Sequence, residues 1–128
     1  MENKYLLDTN VVVYYSDDLF DTDNLVIDEI FEYSFNISII SKIEFLGWAG
    51  FRVDTEQYTA AIEFVNSANI FHLDEEIAEE TIQIRQKHKI KTPDAIIAAT
   101  ARVYNLGLLT RNVEDFKDLD LEVTNPLD

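Results

Sequence analysis

The stretch TPDAIIAATARVY, residues 92–104, constrains the fold more than any other part of the chain. Thr92 as an N-cap, Pro93 at the first helical position and Asp94 in the first turn together predict a helix start. The helix that follows is apolar nearly all round, and such a helix is stable only when protein covers every side of it. It must therefore be central. A chain of 128 residues is one domain's worth, enough for a single core, so residues 1–128 are read as one domain.

What surrounds that helix is an alternation of short apolar runs with helical stretches. KYLLD (residues 4–8), Asn36 to Ile40, Ile70 to Leu73 and Gly107 to Thr110 read as strands, with Leu121 to Val123 as a fifth. Helices are expected over Thr9 to Tyr15, residues 24–34, a short segment after Ser41 closed by Gly47 and Gly50, a segment capped by Thr55, and one capped by Asp74. Short apolar strands alternating with helices predict an α/β fold: a three-layer α/β/α sandwich around a parallel sheet of four to five strands.

Composition narrows the function classes. Cysteine is absent, which removes disulfides and thiolate metal sites and fits a reducing compartment. No apolar run approaches the roughly 20 residues of a membrane span, so a cytoplasmic protein with no membrane partner is expected. The formal charge of −15 repels polyanions at long range and argues against nucleic acid unless cations are concentrated locally. They are: Arg85, Lys87, Lys89 and Lys91 fall within RQKHKIK. As a basic helix end this run simply complements the helix dipole; as a patch, Lys87, Lys89 and Lys91 would track phosphates, with Arg111 a further candidate.

Within the first strand the apolar run is broken by Asp8, a carboxylate that is costly to bury unpaired. In an open parallel sheet, ligands collect at the carboxyl ends of the strands. Four acids are expected there: Asp8 after the first strand, Glu44 after the second, Asp94 opening the central helix, and Asp115 beyond the fourth strand. Each also has a plain structural explanation. Asp8 could cap the following helix, Ser41 and Glu44 fit the S-x-x-E capping box, Asp94 suits a helix dipole, and Asp115 could start a turn. Caps need not converge, however, and clustered carboxylates repel one another unless a cation neutralises them. His72 and His88 have no ligand spacing with the acids, so the cation expected is oxygen-ligated Mg²⁺ or Mn²⁺. Such an ion activates water and stabilises the leaving oxygen of a phosphodiester, which is the chemistry of metal-dependent nucleases.

LLDTN, ISKIEFLG, TPDAIIAATA and LLTRNVEDF occur in the order and spacing of a PIN domain, and the chain most closely resembles a VapC-type toxin ribonuclease over essentially its whole length. The resemblance implies a Mg²⁺- or Mn²⁺-dependent endoribonuclease acting on single-stranded RNA or exposed loops. It further implies a homodimer and a cognate antitoxin whose C-terminal segment occupies the cleft. On this resemblance Asp8, Glu44 and Asp94 match the three acids of the family's centre, with Thr9 and Asn10 beside the first. Many relatives carry aspartate at the place of Asn112 and many at the place of Asp115; this chain retains only the second. One charge fewer weakens a second metal and favours a one-metal mechanism in which Asp94 or Asp115 positions the attacking water.

Other classes fit less well. A receiver-type phosphoacceptor domain wants paired acids after the first strand and a lysine after the last, and a haloacid-dehalogenase-like phosphatase wants a second aspartate two residues after the first. Neither pattern is present around Leu7, Asp8 and Thr9. A PIN-like protein that binds without cleaving agrees with the charge and with Asn112.

Overall fold

The structure, a computed structural model, describes residues 4–17, 25–48 and 50–126. Asn24, Ala49 and the chain ends, which fall within the expected elements or domain, lie outside the described residues. The elements run β1 (Tyr5–Leu7), α1 (Thr9–Ser16), α2 (Leu25–Tyr33), β2 (Asn36–Ser38), α3 (Ile39–Leu46), α4 (Glu56–Asn66), β3 (Asn69–Phe71), α5 (Glu75–Lys87), α6 (Thr92–Val103), β4 (Gly107–Leu109), a 3-10 turn (Val113–Phe116) and β5 (Val123–Thr124).

Every strand pairing among the described residues is parallel. β1, β4 and β5 form one ladder in that order and β2 pairs with β3. β1 and β2 lie side by side without a backbone ladder. The buried Asn36 side chain stitches that seam: its Nδ2 donates to the Tyr5 carbonyl at 2.8 Å, and its Oδ1 accepts from Asn69 Nδ2 at 3.3 Å.

Successive strand residues point to opposite faces, and the core divides accordingly. Leu6 and Leu108 pack with α5 and α6, whereas Leu7 and Leu109 pack with Val11, Val12, Ile30, Phe31, Phe45 and Val65 from α1 to α4. The result is helices on both faces of a parallel sheet, the α/β arrangement expected. In α6, residues Ala95 to Ala101 are buried without interruption. Its alanines admit close contact with α5 on one side and with β1, β2 and β4 on the other, so the all-round apolar helix is central.

Several boundaries differ from expectation. The β2 ladder ends where Ser38 faces Phe71. Ile39 and Ile40 therefore join α3, and Ser38 is the cap, its Oγ accepting from Ile40 N at 3.0 Å. The expected capping box at Ser41 and Glu44 is not formed; Ser41 is already inside the helix and buried. At α6 the first helical bond runs from Ala95 N to the Lys91 carbonyl at 2.9 Å. Lys91 is thus the N-cap position, Thr92 is the first helical residue and Pro93 the second. β3 covers Asn69–Phe71 and β5 Val123–Thr124, shifted by one or two residues from the apolar runs. Thr55 and Asp74 cap α4 and α5 as expected, accepting from Tyr58 N and Ile77 N.

Candidate active site

β1 and β4 pair in parallel with Leu7 opposite Leu109, so the next residues, Asp8 and Thr110, emerge together at the carboxyl edge of the sheet. Asp8 is only 6 % exposed and Thr110 is fully buried. The Asp8 carboxylate is held by three donors. Oδ1 accepts from Thr9 N at 2.8 Å, and Oδ2 accepts from Thr110 Oγ1 at 2.8 Å and Asn10 Nδ2 at 3.2 Å. Asp8 thus caps α1 and faces the cleft at once; the capping and site explanations are not exclusive.

Those bonds do not fully offset burial. Desolvation, with repulsion from Asp94 and Glu44, pushes the Asp8 carboxyl up from its ordinary 3.8 to about 6, against the lowering effect of the Thr110 and Thr9 bonds. Burial also raises Asp94, helped by the charges of Asp115 and Glu44 and opposed by Lys91. Among the carboxylates the repulsion joins Asp8 to Glu44 and Asp94, and Asp94 to Asp115 and Glu44.

All four acids line one open cleft of about 400 Å³, together with Thr9, Asn10, Val13, Tyr14, Arg111 and Asn112. Glu44 points at α1 across the cleft wall: its Oε1 accepts from Thr9 Oγ1 at 2.7 Å, and the Thr9 hydroxyl also lies 2.9 Å from Ser41 Oγ. Asn10 Oδ1 accepts from Arg111 N at 3.1 Å, and Asn112 N donates to Thr110 Oγ1 at 3.0 Å. The Arg111 guanidinium carbon sits 4.1 Å from the Tyr14 ring centroid.

Donor chemistry fits a hard divalent cation: four carboxylates, no sulfur, and charges that repel without one. As the side chains lie, no three His, Asp or Glu groups among the described residues stand as an ion-holding set, so closing a ligand shell requires side-chain movement. The basic run divides. Lys89 and Lys91 line a second hollow that shares Asp94 and Asp115 with the cleft, while Lys87 ends α5 outside it. His72 lies outside the cleft on the exposed surface.

The sequence pointed to Ser41 only as a cap and to no site role for Thr110 or Tyr14, both of which meet residues of the cleft. Thr110 carried a usable signal, a polar residue ending an apolar strand just as Asp8 does, but only the β1–β4 pairing brings the two together.

Fold and cleft define a class: a small parallel α/β domain with carboxylates gathered at its strand ends. The PIN domain family model matches residues 5–121, and the chain belongs to that family, whose members are in general nucleases. No curated protein sequence matches it. A toxin–antitoxin complex from Klebsiella pneumoniae contains a similar chain, 29 % identical over 96 % of this chain and 98 % of that one, with a TM-score of 0.76. FitAcB from Neisseria gonorrhoeae is similar at 25 % identity, over 95 % and 97 % of the two chains, with a TM-score of 0.68. DNA-bound VapBC from Salmonella typhimurium, at 22 % identity over 98 % and 99 %, has a TM-score of 0.80 and shares the fold.

Proposed function

We propose that this chain is a Mg²⁺- or Mn²⁺-dependent endoribonuclease and the toxin of a type II toxin–antitoxin pair. One observation carries the reading: four carboxylates from separate elements line a single cleft, and two of them, Asp8 and Asp94, are pushed up in pKa by burial and by the charges of other acids in that cleft. Structural caps have no reason to repel across a shared space, whereas a cation site gains affinity from that repulsion.

Asp8, Glu44, Asp94 and Asp115 would hold the ion, with Asn112 offering a neutral oxygen beside them. When bound, it would lower the pKa of a water and stabilise the leaving oxygen of the phosphodiester. Thr9, Asn10 and Thr110 fix the orientation of the Asp8 and Glu44 carboxylates. Asp94, its carboxyl raised by burial and by the charges of Asp115 and Glu44 and so more basic than an ordinary carboxylate, is suited to orient the attacking water and take its proton at a carboxylate oxygen. Lys89, Lys91 and Arg111 border the cleft and would meet RNA in a chain that otherwise repels it, the lysines at its phosphates; Lys87, at the end of α5, would extend the same track.

An antitoxin is supported by an apolar groove of about 600 Å³ beside the cleft. It is lined by Trp48, Phe51 and Phe64 and shares Glu44 with the cleft, so a single peptide could cover both. A homodimer and a cytoplasmic location belong to the same reading, and no helix among the described residues is long and apolar enough to cross a membrane.

The test is cleavage of a labelled RNA pool by the purified chain in Mg²⁺ or Mn²⁺, with Asp8→Asn and Asp94→Asn as controls. Metal-dependent cleavage lost in both variants is expected; undiminished cleavage in excess chelator would refute the reading. Binding without cleavage would favour the inactive binding protein, the reading that Asn112 supports.

A further inference from the structure

Resting on the nuclease reading, the rim of the cleft carries a more specific feature. Arg111 lies over the Tyr14 ring with its guanidinium carbon 4.1 Å from the centroid, and both residues line the cleft that holds the four acids. Arg111 is exposed, and no carboxylate pairs with it among the described residues, in a chain with 25 acids. Its backbone is pinned to the acid centre: Arg111 N donates to Asn10 Oδ1, and the Asn10 amide donates in turn to Asp8 Oδ2. A guanidinium laid against an aromatic ring keeps its second face for another π-system. Bases of unpaired nucleic acid stack on such planes.

We propose that Arg111, laid against Tyr14 and tethered through Asn10 to Asp8, is the stacking platform for an unpaired nucleobase next to the scissile phosphate. The two flanks of the cleft then do different work. Lys89 and Lys91, in the hollow that shares Asp94 and Asp115, offer point charges that suit phosphates on one side. Arg111 and Tyr14 offer a plane on the other, where a base paired in a duplex has no free face to give.

The test is binding of a 12-nucleotide single-stranded RNA by fluorescence anisotropy in chelator, with an abasic residue scanned along it, for wild type, Arg111→Lys and Tyr14→Ala. In wild type one abasic position should weaken binding roughly tenfold. That penalty should shrink to near nothing in Arg111→Lys, which keeps the charge and loses the plane, and in Tyr14→Ala. The salt slope should stay unchanged in Arg111→Lys, because no cation is removed. An abasic penalty equal in wild type and Arg111→Lys overturns the platform. Cleavage of the unmodified oligonucleotide in Mn²⁺ is scored in parallel. Cleavage with an unmoved penalty sinks the platform alone, whereas a moved penalty without cleavage supports the platform and sinks the nuclease reading. Failure of the chain to bind the oligonucleotide overturns the platform as well.

Discussion

Asp8→Asn separates the electrostatic cost of the cleft from its hydrogen bonding. In the folded chain the Asp8 carboxyl titrates at about 6 against an ordinary value of 3.8. The sign follows from proton binding: between those values the unfolded chain has released the proton and the folded chain still holds it, so stability falls as pH rises. This contribution is fully present below pH 3.8, falls by about 1.4 kcal/mol per pH unit through the window, and is lost above about 6. The whole gap is worth roughly 3 kcal/mol, an upper figure that needs little discount for solvent because Asp8 is 6 % exposed. The asparagine side chain of the variant cannot ionise, and with one acceptor oxygen it loses part of the Thr9, Asn10 and Thr110 bonding at every pH, a cost of about 1 to 3 kcal/mol.

The measured quantity is the difference in unfolding free energy, wild type minus Asp8→Asn, from urea titrations in chelator between pH 4 and pH 7.5. Other acids, including Asp94 with its own raised pKa, are present in both proteins and largely cancel. The difference should drop by about 2 to 3 kcal/mol between pH 4 and 6.5 and then level off, with the gap between Asp8's two titration points setting the figure. Mn²⁺ at a hundred times its Kd should restore about 2.7 kcal/mol to wild type near neutrality, and less below pH 6, where the ion must displace a proton. A difference that stays flat or rises with pH would show that the Asp8 charge is not under strain, and the cation argument would lose its main support.

Asp94→Asn should abolish metal-dependent cleavage yet melt higher than wild type in chelator, because it relieves repulsion from Asp115 and Glu44; in Mn²⁺ its thermal shift should be much smaller than that of wild type. A variant less stable in chelator with an unchanged metal shift removes Asp94 from the site. Replacing Lys87, Lys89 and Lys91 with glutamine should weaken RNA binding uniformly across sequences and flatten the log K against log salt slope by roughly two, at about 0.7 for each of three phosphate contacts on a single strand; an unchanged slope assigns the run to the helix end alone. Thr110→Val keeps the shape and removes the hydroxyl that donates to Asp8 Oδ2 and accepts from Asn112 N. It should cost about 1 to 3 kcal/mol in denaturant titrations and move the acid limb of the pH–rate profile upward, since a lowering influence on Asp8 is gone.

The parts of the fold that depend on local pattern were legible in the sequence. The continuous apolar run that makes β1, the Asp74 cap with Glu75 and Glu76 behind it, and the all-round apolar face of α6 each follow from neighbours a few residues away. Boundaries failed where a ladder decides them. ISII after Asn36 has the composition of a longer strand, but β3 pairs with it only as far as Ser38, and the released isoleucines join a helix. Ser41 then has the right spacing to Glu44 for a capping box and the wrong location to cap anything. Its hydroxyl, turned inward, meets Thr9, and Glu44 meets Thr9 as well.

The cleft shows the same division more sharply. A carboxylate interrupting an apolar run is visible in one dimension, and so are the other three acids. What makes Asp8 tolerable is not, because its strongest side-chain donor, Thr110, lies 102 residues away, delivered by a parallel pairing that no short-range signal specifies. Convergence of acids is therefore a weaker statement than the arrangement of their donors. Asp8 has three hydrogen bonds and a pKa still pushed up to about 6. A carboxyl that was only structural would gain from becoming fully ionised on that many donors. One that remains strained after receiving them is short of positive charge, and the cleft it faces is where that charge would bind.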